Sequence, residues 1–473
     1  MYGFLGIDIG TTNSKAILIN EDGDIVSTWK QKTPQVLRNG HSYFDIQKIE
    51  VFIDQWTEEA KRLVRLRSIS FSSIGESVIP LKDGKVIGLP LVWHEQTDEI
   101  DETVKRRVLK DSGFEHTGVH DTPTFAVYKM TWMMKHELTE LPDMWLPISS
   151  YLIYRKTGTA RWDTSQAGRS YLYDIHKKEW NRNAAEELDI GLPEQIGSMG
   201  DVCGCKDGIV YGLGGHDHYV GMYAVRKLFG QPDLFYDSMG SSSVLAMNRR
   251  DCGKKLRGTA TYNPLGGCLV TGFGADEYAV NRALDFYGRV LNCITSFSRR
   301  KKDKILFDEV NRQLDMNLPD TEQLCRIACP KDYGPFAARV QDINLLDVKE
   351  HISFPVMLLS GYVYMVLGTQ RMYGDLSQYC DHSQDKMPYF TGGGITDNHF
   401  FMQLKAAALN REMTILKTAE ISSLGAAISG MCACGEEARL KELGSILLEG
   451  EKVIPNTGYM EYIAEMKRRY EAG

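Results

Sequence analysis

Residues 4–19 read FLGIDIGTTNSKAILI, an apolar run followed by a polar turn and a second apolar run. Residues 21–24, EDGD, then form an Asp-Gly turn ahead of Ile25 and Val26. Apolar runs separated by Gly, Thr and Asp turns are typical of antiparallel strands. The sequence therefore predicts a strand, a turn, a second strand, a tight turn and a third strand at the start of the chain.

A second copy of this pattern lies about half-way along the chain. Residues 234–247 read LFYDSMGSSSVLAM, again an apolar run, an aspartate, a glycine, hydroxyl residues and an apolar run. The two copies are about 230 residues apart, far beyond the 20–50 residues of repeat arrays. We therefore predict a duplicated domain, with domains at 1–228 and 229–473.

Length and composition agree with two globular domains, because a chain of 473 residues exceeds the roughly 250–300 residues that one core supports. The 43% hydrophobic and 25% charged residues exclude disordered and fibrous classes. The net charge of −7, without a basic stripe, predicts no nucleic-acid partner. Lacking a leader pattern or an apolar segment of about 20 residues, the chain is expected to be soluble, cytoplasmic and without a membrane partner.

Periodic apolar residues predict helices at Thr124–Leu138, Asp276–Leu291 and Tyr459–Tyr470. Two glycine-rich turns, residues 214–218 (GGHDH) and 391–396 (TGGGIT), each follow an apolar run and precede a helical pattern. Proteins of the α/β class bind ligands at such strand ends. Both turns are therefore candidate ligand loops.

The turn at residues 10–14 offers consecutive backbone amides and hydroxyls, which form a concave site for phosphate oxygens. Asp8, just before it, is placed to hold Mg²⁺ through water. A plain polar hairpin explains the same residues equally well, but the second copy at 237–243 favours phosphate binding, because two facing hairpins can hold one nucleotide. The motifs GxxxxGK[ST] and GxGxxG do not occur at these turns.

These segments resemble the FGGY carbohydrate kinases, a family of the actin, hexokinase and Hsp70 ATPase superfamily. The resemblance implies an α/β fold of two ribonuclease H-like ATPase domains with a central cleft. The chain departs from the family at residues 93–97, WHEQT, where Glu95 and Thr97 replace the Asp and Arg of a Trp-x-Asp-x-Arg pattern. The resemblance rests, in chain order, on residues 6–15, 129–136, 151–180, 192–200, 214–217, 237–243, 392–394 and 403–427.

The resemblance implies a phosphotransferase with an alcohol acceptor, EC 2.7.1.-, that uses ATP and Mg²⁺. The acceptor would be a small sugar, sugar acid or polyol, with a xylulose-like ketose favoured. Asp217 would be the general base, and Asp8 would organise the metal. The residues implied for ATP are Gly10, Thr11, Thr12, Asn13, Lys15, Gly240, Ser241, Ser242, Gly392, Gly393, Gly394 and Asn398. The residues implied for the acceptor are Gly75, Glu76, Trp93, Thr124 and His218.

Several alternatives stay open at this point. Asp217 could cap the helix that follows it, Glu76 could be a surface carboxylate, and His216 could be a structural histidine. The whole chain could be a catalytically silent regulatory protein that binds nucleotide and sugar. A chaperone-type ATPase would require a substrate-binding β-domain and a lid, which we do not expect here. A homodimer is possible, and the sequence specifies neither the oligomeric state nor the sugar.

Overall fold

The structure, a computed structural model, describes most of the chain. The predicted helix Asp276–Leu291 lies outside the described residues, as do Gly240, Ser241, Ser242 and Gly394. The described residues are 1–95, 97, 100–109, 113–231, 233–239, 243–248, 261–262, 265, 271–274, 303–328, 344–348, 353–378, 387–393, 395–418 and 420–472.

The first half of the chain contains the following elements. They are β1 (Tyr2–Ile9), β2 (Asn13–Asn20), β3 (Ile25–Lys32), β4 (Gln35–Arg38), β5 (His41–Phe44), α1 (Ile46–Leu63), β6 (Arg65–Ser73), β7 (Val78–Lys82), β8 (Lys85–Val86), α2 (Glu102–Val108), α3 (Phe114–Thr117), α4 (Ala126–His136), β9 (Met144–Pro147), α5 (Ile148–Thr157), β10 (Trp162–Asp163), α6 (Thr164–Ala167), β11 (Tyr173–Asp174), β12 (Glu179–Trp180), α7 (Arg182–Glu187), β13 (Ile196–Gly197), β14 (Val202–Lys206), β15 (Ile209–His216) and α8 (Asp217–Phe229).

The second half contains fewer described elements. They are β16 (Leu234–Met239), β17 (Ser243–Asn248), β18 (Thr271–Gly274), α9 (Asp303–Met316), a 3₁₀ turn (Thr321–Gln323), β19 (Arg326–Ala328), β20 (Asn344–Leu346), α10 (Phe354–Ser377), β21 (Tyr389–Gly393), α11 (His399–Leu409), β22 (Met413–Leu416), α12 (Ile421–Ala433), a 3₁₀ turn (Glu437–Arg439), α13 (Leu440–Leu447), β23 (Gly450–Val453) and α14 (Thr457–Ala472).

Each half is built on a six-stranded sheet, and the two sheets have the same plan. The first sheet has the order β3-β2-β1-β6-β15-β14, and the second has the order β18-β17-β16-β21-β22-β23. In both, three antiparallel strands are followed by two parallel neighbours and a final antiparallel strand. The predicted duplication thus appears as a repeated topology, while the boundary at residues 228 and 229 stays a proposal.

Three groups of buried apolar side chains hold the molecule together. One surrounds the first sheet and one the second. The third lies between the sheets and joins Phe4 and Ile17 to Tyr236, together with residues of α8 and α12. Helix α12, which lies between β22 and β23 in the chain, packs on β1, β6 and β15 of the first sheet. The two halves therefore share a core as well as a cleft.

The sequence located several elements closely. The predicted helices at 124–138 and 459–470 correspond to α4 and α14. The glycine-rich turns correspond to the junction of β15 with α8 and to the end of β21 ahead of α11. Among the described residues, no helix combines the length and the low polarity that crossing a bilayer requires.

Candidate active site

The turn between β1 and β2 is fixed by the residues that follow β3. The carbonyl oxygen of Gly10 accepts a hydrogen bond from the Thr33 hydroxyl at 2.7 Å. The carbonyl oxygen of Thr11 accepts one from the side-chain amide of Gln35 at 2.6 Å. The Thr12 carbonyl accepts from the Thr33 amide at 3.0 Å. Residues 10–13 of the turn are partly or fully exposed. A ligand can therefore reach a turn whose peptide groups are already held in position.

Asp8, at the end of β1, is a buried carboxylate at the base of this turn, and only 8% of it is exposed. Among the described residues, its Oδ1 atom has no hydrogen-bond partner. Burial raises the pKa of Asp8 to about 7, and the charge of Asp217 adds to the rise while Lys15 opposes it. Asp8 is therefore a carboxylate for which a cation would compensate the lost hydration.

Asp217 lies where β15 ends and α8 begins. The N-cap position is His216, so Asp217 is the first helical residue and the helix-cap alternative is wrong. Its Oδ1 atom lies 2.8 Å from Nδ1 of His216 and accepts a hydrogen bond from the His218 amide at 2.7 Å. Burial alone would raise the pKa of Asp217, but the charges and hydrogen bonds of the two histidines outweigh it and lower the pKa to about 2. Asp217 is ionised at neutral pH.

His216 has a structural role behind Asp217. It is buried, and its amide donates to the Ser165 hydroxyl at 2.9 Å. Ser165 in turn hydrogen bonds to the buried Asp163. A Cβ atom at Gly75 would lie 2.5 Å from Nε2 of the His216 ring, so residue 75 must be glycine for this ring to fit. His216 thus packs Gly75 against the loop that carries Asp217.

His218 connects the two halves across the cleft. Its Nδ1 atom lies 2.8 Å from the hydroxyl of Ser238 on β16. Burial lowers the pKa of His218, although the charge of Asp217 opposes the effect. In the sheet register, Ser238 pairs with Gly392 and Met239 with Gly393. The predicted glycines at 392 and 393 therefore lie beside the residue that contacts His218.

Glu76 forms a buried ion pair that the sequence did not reveal. Its Oε1 atom lies 2.6 Å from Nε of Arg169, and the two side chains are 6% and 3% exposed. Glu76 also has a φ of 59°, which is uncommon for a residue with a side chain and occurs often at functional sites. The surface-carboxylate alternative is therefore wrong. The charges of Glu76 and Arg169 both act on His218, so this pair lies near His218.

Trp93 and Thr124, the predicted acceptor contacts, meet at a buried lysine. The Nζ atom of Lys129 donates to the carbonyl oxygens of both residues. Trp93 is half-buried, whereas Thr124 is 1% exposed and its hydroxyl lies 3.4 Å from that of Thr122. Glu95, the departure from the family pattern, contacts Nδ1 of His41 at 2.9 Å. That glutamate anchors the loop of Trp93.

Two predicted nucleotide residues have partners within the protein. Lys15 forms an ion pair with Glu420, which precedes α12, and both charges act on Asp8. Asn398 caps α11 by accepting from the Phe401 amide at 3.1 Å, and it donates to the Tyr362 hydroxyl at 2.9 Å. Lys15 thus lies near Asp8 and Glu420, and Asn398 has a structural role in helix capping.

The aspartate of the second hairpin, Asp237, has different partners from those of Asp8. Asp237 is fully buried, and its Oδ2 atom lies 2.6 Å from Nζ of Lys405 on α11, which is fully buried too. The Tyr389 hydroxyl donates to the same oxygen at 2.7 Å. The described part of the second hairpin therefore presents a neutralised aspartate.

The structure brings five of the predicted residues together. Asp8, Asp217 and His218 lie between Lys15 at one end and Glu76 at the other. Sequence reasoning missed Arg169, included Ser238 and Glu420 only as members of longer motifs, and gave Lys129 no role. Glu76 and Arg169 are 93 positions apart in the chain, which explains one omission, because no local sequence pattern indicates such a pairing.

Known proteins resemble this chain over both halves. Residues 3–208 match the N-terminal domain of the FGGY family of carbohydrate kinases, and residues 238–434 match its C-terminal domain. A glycerol kinase of Lactobacillus acidophilus is 23% identical over 97% of this chain and 94% of its own length. A glycerol kinase of Pseudomonas fluorescens is 24% identical, over 94% of this chain and 91% of its own.

Solved structures share the whole fold. A ligand-bound xylulose kinase of Lactobacillus acidophilus superposes with a TM-score of 0.78 at 17% identity and covers 100% of this chain and 98% of its own. A gluconate kinase of the same species gives 0.77 at 18% identity with the same coverage. The glycerol kinase of Plasmodium falciparum with ADP gives 0.73 at 17% identity, again over 100% and 98%. The chain has the two-domain actin/hexokinase-like fold, and it belongs to the FGGY family of carbohydrate kinases, which are phosphotransferases with an alcohol acceptor.

Proposed function

We propose that this protein transfers the γ-phosphate of ATP to a hydroxyl of a small sugar, sugar acid or polyol, with Asp217 as general base. The observation that carries the proposal is the pair of carboxylates in one cleft, Asp8 and Asp217, whose pKa values move in opposite directions. Such separation divides two acidic groups between different tasks. Asp217, ionised at neutral pH, accepts the hydroxyl proton, while the rest of phosphoryl transfer depends on positioning and charge neutralisation.

Asp8 suits a magnesium ion. Its buried Oδ1 atom has no hydrogen-bond partner among the described residues. Protein-bound Mg²⁺ uses one or two carboxylates together with substrate phosphates. When bound, Mg²⁺ would neutralise charge on the phosphate groups. Asp8 is the residue that would hold it, directly or through water.

The nucleotide would lie between the two hairpins. The turn of Gly10, Thr11, Thr12 and Asn13, with Lys15, is proposed to hold phosphate oxygens, since the peptide groups of residues 10–12 are already held in position. Residues 240–242, 392–394 and Asn398 are proposed to complete the site from the second half. The ADP named in the Plasmodium falciparum structure supports an adenine nucleotide.

The acceptor would occupy the end of the cleft lined by Glu76, His218 and Trp93. Since Arg169 engages Oε1 of Glu76, Oε2 is the atom that would accept from an acceptor hydroxyl. A xylulose-like ketose is the favoured acceptor, in keeping with the xylulose kinase structure. The similar glycerol and gluconate kinases make polyols and sugar acids the alternative acceptors.

A coupled ADP-release screen over D-xylulose, related ketoses, aldonates and polyols tests the proposal. The expected result is ADP formation that depends on one acceptor class and matches phosphorylated product one to one. Acceptor-independent ADP release, or nucleotide binding without turnover across the whole panel, would contradict the proposal. The second of these results would favour the catalytically silent regulatory protein.

A further inference from the structure

Lys129 is a fully buried lysine that the proposed mechanism does not use. It lies on α4, and its Nζ atom donates to the Trp93 carbonyl at 2.8 Å and to the Thr124 carbonyl. An ammonium group has three donors and no acceptor, so carbonyl oxygens are suitable partners. Both partners are backbone atoms of residues at the acceptor end of the cleft.

Those two carbonyls belong to segments that one backbone hydrogen bond also joins, from the Thr97 amide to the Pro123 carbonyl at 3.4 Å. Trp93 lies in the loop after β8, and Thr124 lies two residues before α4. Glu95 anchors the far side of the Trp93 loop, where it contacts His41 and accepts from the Ser42 amide at 3.0 Å. Lys129 adds two shorter contacts to this long hydrogen bond, and it therefore helps to set the distance between the loop and the start of the helix.

We propose that Lys129 is a positioning residue for the acceptor site, which holds the Trp93 loop against the start of α4 and so sets the width of the acceptor pocket. The inference rests on the proposed function for the identity of the pocket. It assigns Lys129 an effect on acceptor affinity and none on nucleotide affinity, because Lys15 and the turn at 10–13 lie at the other end of the cleft.

Burial and the surrounding charges make the hydrogen bonds of Lys129 sensitive to pH. Burial lowers the pKa of Lys129 to about 7; the charges of Glu76 and Glu95 oppose the fall, and that of Arg169 adds to it. Below pH 7 the ammonium makes charge-assisted hydrogen bonds, which are roughly twice as strong as neutral ones. Above pH 7 the neutral amine holds the loop less firmly, so the acceptor KM is expected to rise.

The pH dependence of stability has the opposite sign. Between about pH 7 and the ordinary lysine value of about 10.4, the unfolded chain binds a proton that the folded chain does not. The contribution of Lys129 to stability therefore increases as pH rises through this window. As pH rises, a purely structural lysine would change stability alone, whereas a positioning lysine lowers the acceptor affinity while stability increases.

The test compares Lys129→Met, which removes the donors, with Lys129→Gln, which keeps an NH₂ donor, and with Lys135→Met on the exposed face of the same helix. For the acceptor that the wild type uses among D-xylulose, D-gluconate and glycerol, Lys129→Met should raise KM about tenfold, equivalent to about 1.4 kcal/mol. In Lys129→Met, kcat and the KM for ATP should stay within about twofold of the wild-type values. The acceptor KM of Lys129→Gln should lie between those of the wild type and Lys129→Met. The rise in acceptor KM above pH 7 should disappear in Lys129→Met.

Hydrogen–deuterium exchange without any substrate provides the second measurement. Peptides that contain Trp93 and Thr124 should exchange faster in Lys129→Met than in the wild type or Lys135→Met. Unchanged exchange, or equal losses for acceptor and ATP in a folded variant, would overturn the proposal. If the wild type used none of the three acceptors, the proposed function would be in question, while the exchange result would still decide the role of Lys129. If Lys129→Met did not fold, Lys129→Gln and the wild-type pH profile would decide it.

Discussion

The two hairpins at the centre of the molecule have the same strand order and an aspartate near the end of the first strand, yet they use that aspartate differently. Asp8 pairs in the sheet register with Lys15, which is engaged by Glu420 from the other half of the chain. Asp237 pairs with Leu245, and its cation is the buried Lys405. The Asp237 carboxylate has a buried lysine and the Tyr389 hydroxyl as partners, whereas the Asp8 carboxylate is proposed to hold a metal ion.

This difference shows how a duplicated scaffold separates stability from function. A buried carboxylate without a close cation destabilises the folded state, and proteins tolerate this mainly where a ligand later supplies the compensation. A buried and paired carboxylate contributes to holding its own domain together. Substitutions in the two hairpins should therefore affect different measurements.

The largest expected effect is on turnover, at Asp217, whose charge acts on Asp8 of the first hairpin. Asp217→Asn removes the proposed base but keeps the shape of the side chain, so turnover should fall by about 10²–10⁴-fold. Nucleotide binding should be unchanged. Acceptor-dependent ADP release measures the effect, and Asp207→Asn, in the exposed turn between β14 and β15, is the matched control. Retention of more than about a tenth of the wild-type rate would remove Asp217 from the mechanism.

The second effect is on stability at the other hairpin. Lys405→Met leaves the Asp237 carboxylate buried without its cation, which should lower the free energy of unfolding by about 3–5 kcal/mol. Adding Asp237→Asn should recover much of this loss, because no buried charge then remains. Chemical denaturation measures both variants, with Lys452→Met on exposed strand β23 as control. A double variant no more stable than Lys405→Met would show that packing, and not charge, is responsible.

The third effect is on stability at the first hairpin, where removing the charge of the aspartate is expected to stabilise the protein. The folded pKa of Asp8 is about 7, above the ordinary carboxyl value, so its contribution to stability falls as pH rises from about 4 to 7. Asp8→Asn should therefore stabilise the metal-free protein by about 1–3 kcal/mol at pH 8, and much less at pH 4. Thermal melting at both pH values measures this gain. Destabilisation at pH 8 would mean that Asp8, like Asp237, is a structural carboxylate.

The smallest effect concerns the acceptor. Glu76→Gln keeps an oxygen for Arg169 but removes the charge that would accept from an acceptor hydroxyl. The acceptor KM should rise about tenfold while the KM for ATP changes little, because the lost hydrogen bond is worth roughly 1–2 kcal/mol. Steady-state kinetics at saturating ATP measure the change. A parallel rise in both KM values would point to altered folding of the β6–β7 turn.

Local patterns predicted the parts of this site that depend on local chemistry. The strands around residues 4–19, the turn at 10–14 and the strand end that carries Asp217 could all be predicted, because alternation of apolar residues and turn residues is a short-range property. The partners of Glu76 and Asp237 could not be predicted, since Arg169 and Lys405 come from distant elements and only the folded chain brings them near. The same limit hid the role of Lys129.

Helix α12 covers the first sheet but is synthesised long after it, and this delay affects folding. It lies so close to β1 that a Cβ at Gly6 would collide with its backbone, at Ser423 and Ala427. When the first half emerges from the ribosome, this face of its sheet has no cover until residue 433 is made. At about 5–20 residues per second, that interval lasts at least about ten seconds. The nascent first half thus carries an exposed apolar sheet, a site for chaperones to protect and for aggregation to begin.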